Sequence, residues 1–169
     1  MGARAGGERL RMPVLQKDET LTASTEVRAS PEQVYAVVSD VTRSPEWSPE
    51  TTRAEWLAAD RFRAWNRRRL GRWKTVANVV EAEPGHRFSF VVQAMGGDWT
   101  QWTYLIEPGS AAGTTRLTET FRMCVPLPFG VVVFEHLCLF VRDRRADLQR
   151  NIDASVDRIR AIVEAGADA

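Results

Sequence analysis

The chain has 169 residues, the length of one domain and too short for two well-formed ones. With 44% hydrophobic residues, six Trp and seven Phe it can fill a single core, which excludes a disordered or collagen-like chain. Lys plus Arg (23) against Asp plus Glu (22) leave a formal charge of +1, so no global field recruits nucleic acid or an anionic membrane, and partners must be read from local features. The two cysteines, Cys124 and Cys138, form neither a CxxC pair nor a disulfide framework, which places the chain by default in a reducing cytoplasm with free thiols.

Residues 1–18 read as a flexible N-terminal arm: the first 17 carry four basic residues, one acidic residue and no apolar run of signal-peptide length. Gly6 stands where a myristoylation pattern needs Ser or Thr. From Thr20 to Ala29 apolar and polar residues alternate, a strand signal. Ser30-Pro31-Glu32-Gln33 then opens a helix, with Ser30 as N-cap, Pro31 at the first helical position and Gln33 completing a capping box. Val34, Val37, Val38 and Val41 form its buried stripe. Two prolines and two serines in RSPEWSPE (43–50) break that helix and leave Trp47 as a plug. Strand character recurs at about 51–57, 61–70, 72–82, 86–94, 98–107 and 114–124, separated by turn signals such as Leu70-Gly71, Pro84-Gly85 and Gly96-Gly97. Met123–Val141 has the length of a membrane span, but its two prolines, a glycine and Glu135-His136 favour a loop leading into a buried helix. The end is helical, with Leu137, Val141, Leu148, Ile152, Val156, Ile159 and Val163 on one stripe.

Strand, helix, short helix, six strands, long helix is the order of an α+β protein with an antiparallel sheet and its helices on one side, a single domain over 19–166. Side-chain parity then assigns the inner face. It carries Phe62, Ala64 and Asn66; Trp73, Thr75, Ala77 and Val79; Phe88, Phe90 and Val92; Thr100, Trp102, Tyr104 and Ile106; and Thr115, Leu117, Glu119 and Phe121. A core built only for packing seldom admits an amide, a phenol and a carboxylate together, whereas a ligand cavity uses them. Asn66, Trp73, Thr75, Phe88, Phe90, Trp102, Tyr104, Glu119 and Phe121 are therefore the candidate ligand-binding residues.

The stretches ASPEQVYAVVSDVTRSPEWSPE, FRAWNRRR, RWKTVANVVEAEPGHRFSFVV, WTYLIEP and GTTRLTET resemble the START-like, helix-grip (SRPBCC) superfamily in its bacterial polyketide cyclase/dehydratase-like branch. The resemblance runs from about Thr20 to Ala165 and implies a curved seven-stranded antiparallel sheet gripping a long C-terminal helix, with a hydrophobic cavity between them. It identifies a fold whose members bind lipids, hormones, pigments and polyketides, some transforming their ligands and many only carrying them. No cyclase-specific catalytic signature is present.

Other chemistries find little support. His86 and His136 lie 50 residues apart with no HExxH or Cys/His cluster, so no metal or other cofactor is expected. Cys124 and Cys138 sit in an apolar stretch as inert thiols. RFRAWNRRRLGRWK superficially fits single-stranded nucleic acid, but alternation sends most of its arginines to a solvated hairpin face. Glu119 is the one catalytic candidate, as a cavity acid/base or polar anchor, set against a structural carboxylate paired with an arginine. Arg144 or Arg145 of the last helix is the expected partner. The function expected is binding of a hydrophobic, aromatic or polyketide-like small molecule. The alternatives are a cofactor-independent cyclase or dehydratase, and a lipid exchanger touching membranes through residues 125–134, a contact that is not favoured.

Overall fold

The computed structural model describes residues 15–94, 96–126 and 143–167. In chain order these form β1 (Thr20–Val27), α1 (Pro31–Ser39), a 3-10 helix (Val41–Glu46), β2 (Thr51–Ala58), β3 (Arg61–Arg68), β4 (Gly71–Glu83), β5 (Arg87–Ala94), β6 (Gly97–Pro108), β7 (Thr115–Met123) and α2 (Arg144–Ala167). All neighbouring strands are antiparallel, in the order β1-β7-β6-β5-β4-β3-β2. The α+β helix-grip expectation is met: a seven-stranded open sheet, two short helices after its first strand, and a long C-terminal helix packed against β1, β7 and α1.

Local sequence explains the short helices. Ser30 Oγ accepts from the Gln33 amide at 3.3 Å while Gln33 Oε1 accepts from the Ser30 amide at 2.9 Å, the reciprocal box that satisfies two otherwise orphaned donors. The first helix stops at Ser39 rather than near Val41, because the Asp40 carboxylate accepts from the Thr42 amide at 3.1 Å and starts the 3-10 turn instead. Val41 stays buried within that turn.

The last helix carries the expected stripe over the described residues, with Leu148, Ile152, Val156, Ile159 and Val163 all buried. Asp143 is not helical; its side chain accepts from the Ala146 amide at 3.0 Å, and the described helix begins at Arg144. Leu137, Val141 and Cys138 lie outside the described residues, as does His136.

Burial follows the inner-face parity. Val27, Val34, Val38, Trp47, Phe88, Ile106, Leu117, Ile159 and Val163 form one cluster beneath α1. Leu15, Ala23, Phe121, Met123, Leu148, Ile152 and Val156 form a second around the start of α2. Within the segment read as an arm, Leu15 is buried and the Asp18 amide donates to the Met123 carbonyl at 2.7 Å.

Candidate functional site

Between the concave face of the sheet and α2 lies a cavity of about 460 Å³. Strand register stacks its walls: Asn66 opposite Trp73, Ala64 opposite Thr75, Phe90 opposite Trp102, Trp102 opposite Phe121, and Tyr104 opposite Glu119. Asn66, Trp73, Thr75, Phe90, Trp102, Tyr104, Glu119 and Phe121 all line it. Ring edges interlock around it, with centroids 5.0 Å apart for Phe62 and Phe90 and 5.1 Å for Trp102 and Phe121. Small side chains at Ala64 and Thr75 leave the space open. Phe88 does not line the cavity: β5 carries it toward α1, where it packs edge-on against Tyr35.

Polar groups on the walls divide into two sets. Toward β2, Ser48 Oγ donates to Thr51 Oγ1, Thr51 Oγ1 donates to Asn66 Oδ1 at 3.1 Å, and Asn66 Nδ2 donates to Thr75 Oγ1 at 3.3 Å. That chain satisfies the amide internally. Deeper, Trp47 Nε1 donates to Tyr104 Oη at 3.3 Å, and Tyr104 Oη donates to Glu119 Oε1 at 3.2 Å. Glu119 is 2% exposed and Ser155, facing it from α2, is 3% exposed. Glu119 Oε2 and Ser155 Oγ are both buried without a hydrogen bond of good geometry, although the hydroxyl lies near enough to act on the carboxyl. Burial pushes the Glu119 pKa from 4.5 up to about 7, against the opposing pull of the Ser155 and Tyr104 hydroxyls. The Tyr104 phenol is pushed well above its ordinary value, by burial first and then by the Glu119 charge.

The expected pairing of Glu119 with Arg144 or Arg145 is overturned. Arg144 donates to Glu50 Oε1 at 3.3 Å and lies 3.4 Å from Asp147, while Arg145 pairs with Glu19. The helix faces Glu119 with Ser155, eleven residues beyond Arg144, which is about 16 Å along the axis and farther than an arginine extends. Arg144 instead joins a charged cluster at the cavity rim. Arg68 donates both terminal nitrogens to Asp147 and one to Glu50 at 3.0 Å, and Asn151 adds a contact to Glu50 at 3.4 Å. Burial works against the Arg68 charge, but the two carboxylates outweigh it and hold its pKa above the ordinary arginine value. Neither this cluster nor Leu15, which closes one side of the cavity, follows from sequence. Ser155 does: it falls three residues after Ile152 on the buried stripe.

The basic hairpin turns mostly outward. Arg53 stacks over Trp65 at 4.6 Å, with Arg63 and Lys74 at 5.8 and 5.9 Å; Trp65, Arg53 and Arg63 do not line the cavity, whereas Lys74 borders it. Arg68 is the exception just described. Burial raises the Cys124 thiol pKa. Among the described residues no His, Cys, Asp and Glu group has the makings of a metal site, and no helix is long and apolar enough to cross a membrane. Of the proposed membrane loop 125–134, only Val125 and Pro126 are described.

These features meet a known pattern. Residues 18–164 match the family described as polyketide cyclase/dehydrase and lipid transport. The chain belongs to that family. A polyketide-cyclase-like protein from Corynebacterium glutamicum is 27% identical, with a TM-score of 0.59 over 91% of this chain and 96% of that one. The Zhui aromatase/cyclase from a Streptomyces species is 16% identical, with a TM-score of 0.66 over 88% and 95% of the two chains. A START superfamily protein from Mycobacterium smegmatis is 19% identical, with a TM-score of 0.59 over 85% and 98%. The last two likenesses concern the fold. No curated protein matches the sequence.

Proposed function

We propose that the protein binds one hydrophobic small molecule, aromatic or polyketide-like in its body, in the cavity between sheet and α2. The observation that carries this reading is the cavity itself: about 460 Å³ of space walled by Trp73, Phe90, Trp102 and Phe121. Packed interiors leave few voids larger than a water molecule, so a space of drug-sized ligand volume lined by aromatics with a few convergent polar groups supports a binding site over a packing flaw. The test is a fluorescence titration with Nile red, a neutral apolar dye. Wild-type protein is expected to bind one equivalent saturably, and Ala64→Phe, which grows a ring from the cavity wall, to lose at least tenfold in affinity while unfolding at similar denaturant concentration. Unsaturable binding, or equal binding by the variant, would sink the proposal.

A second reading, acid/base cyclisation or dehydration of the bound molecule, is favoured by one specific observation. The Glu119 carboxyl titrates at about 7, near the pH where it can both give and take a proton. Incubating the protein with an aromatic poly-ketone and weighing the extracted product separates the two. Loss of water with wild type but not with Glu119→Gln supports chemistry, and recovery of unchanged ketone from both leaves binding alone.

A further inference from the structure

Leu70 is 78% exposed, against 52% for Val80, 41% for Leu57 and 39% for Trp56. It sits at the apex of the β3–β4 hairpin, in a two-residue turn closed by Arg68 opposite Gly71. Arg69, the first residue of that turn, has a φ of 48°, a left-handed conformation that hairpin turns normally give to Gly or Asn and that a bulky side chain adopts only at a cost. The chain thus presents a long cation and an uncovered leucine where a glycine would make the easier turn.

The surroundings of the apex are cationic. Residues 67–74 (RRRLGRWK) hold five basic side chains and no acidic one. Arg68 is drawn to Glu50 and Asp147 at the cavity rim, while Arg67, Arg69, Arg72 and Lys74 are exposed. Arg67 and Arg72 stand directly opposite each other in the ladder, and neither has a hydrogen bond or ion pair among the described residues. Such a like-charge pair weakens a hairpin unless an anion lies between its members. Asn66 and Trp73, which alternate with them, line the cavity, so the two guanidiniums stand on the other side of the sheet. Farther from the apex the basic side chains are already engaged, since Arg53 and Arg63 share Glu55.

From this arrangement we infer that the tip of the β3–β4 hairpin docks the protein on an anionic lipid surface, with Leu70 entering the acyl boundary and Arg67, Arg69, Arg72 and Lys74 against headgroup phosphates. An apolar apex ringed by cations fits that boundary from both sides. Single-stranded nucleic acid fits it less well, because bases stack on an open aromatic face, and Trp65 is half-buried with Arg53 at 4.6 Å over its ring. This contact is distinct from residues 125–134 and independent of what the cavity holds, since Arg67, Arg69, Leu70 and Arg72 do not line it. Arg68 ties the tip to the cavity rim, so docking brings that rim close to the headgroups.

Flotation of the full chain with vesicles tests this, using phosphatidylcholine alone and phosphatidylcholine mixed with phosphatidylserine. Wild type is expected to float with the anionic vesicles, to stay behind with the neutral ones, and to be released by high salt. Each cation near an anionic surface strengthens binding roughly fivefold, so Arg67→Gln/Arg72→Gln is expected to bind about 25-fold more weakly. Leu70→Ser should lose about three- to tenfold. Val80→Ser, an exposed apolar site away from the tip, and Arg116→Gln, on β7 across the sheet, should match wild type, and all four variants should unfold at the wild-type urea concentration. Equal binding to neutral and anionic vesicles, binding to neither, or wild-type binding by Leu70→Ser and the double variant would overturn the inference and leave cavity binding untouched. A fluorescent oligothymidylate supplies the competing outcome: binding tighter than to the anionic vesicles and unchanged in Leu70→Ser would overturn the lipid assignment in favour of nucleic acid.

Discussion

Replacing Glu119 by Gln removes a titrating group while keeping its shape, which makes the thermodynamic cost of that carboxyl measurable. In the unfolded chain the group ionises near 4.5; in the folded protein it ionises at about 7, because burial penalises the charge more than the Tyr104 and Ser155 hydroxyls favour it. Between these values the folded state holds a proton that the unfolded state has released, so stability falls as pH rises. Below 4.5 both states are protonated and the penalty is absent; above 7 it is present in full. At about 1.36 kcal/mol per pH unit, the rise from 4.5 to about 7 amounts to about 3 kcal/mol. Urea unfolding of wild type and variant near pH 5 and near pH 8.5 isolates this penalty, since every other titrating group is common to both proteins and cancels in the difference. The variant is expected to be close to wild type in stability at the acidic pH and to gain about 2–3 kcal/mol on it at the alkaline one. A stability difference that does not change with pH would refute the claim that Glu119 is a buried carboxyl without a cationic partner.

Three further outcomes follow from packing and charge. Asp147→Ala is expected to lower unfolding stability by about 3 kcal/mol, read by urea denaturation, because it leaves the enclosed Arg68 guanidinium with only Glu50. Leu15→Ala should cost about 2–4 kcal/mol and speed Nile red dissociation in stopped flow, since Leu15 is buried against the α2 cluster and closes one side of the cavity. Phe88→Leu should cost no more than about 1.5 kcal/mol and leave dye affinity unchanged, because that ring packs beneath α1 and does not line the cavity.

Two physical regularities made most of this protein legible. Side chains alternate strictly along a strand, so a single unambiguous hydrophobe such as Leu117 carries Thr115, Glu119 and Phe121 to the same face. Capping chemistry is equally local, and Ser30 and Gln33 form the box that their spacing predicts. Parity cannot say how far along a face the roofing helix extends. Phe88 shares the face of Phe90 yet sits under α1, and this depends on where the short helix crosses the sheet. The same limit explains the arginine pairing. Helical stepping put Arg144 and Arg145 beside the buried stripe, but which carboxylates meet the helix start depends on the crossing of β3 and the 48–50 loop with it, a contact between segments about 80–100 residues apart.

The central claim, that the concave face encloses an apolar ligand, is tested most directly by the indole N–H signals of the six tryptophans in a nitrogen-proton NMR spectrum recorded during titration with fluorenone. Trp47, Trp73, Trp99 and Trp102 line the cavity, whereas Trp65 lies on the outer face beneath Arg53 and Trp56 lies outside the lining. Shifts confined to the four cavity indoles and complete at one equivalent are the predicted result. Shifts at Trp65 of equal size, or no shift at any of the four at saturating ligand, would contradict it.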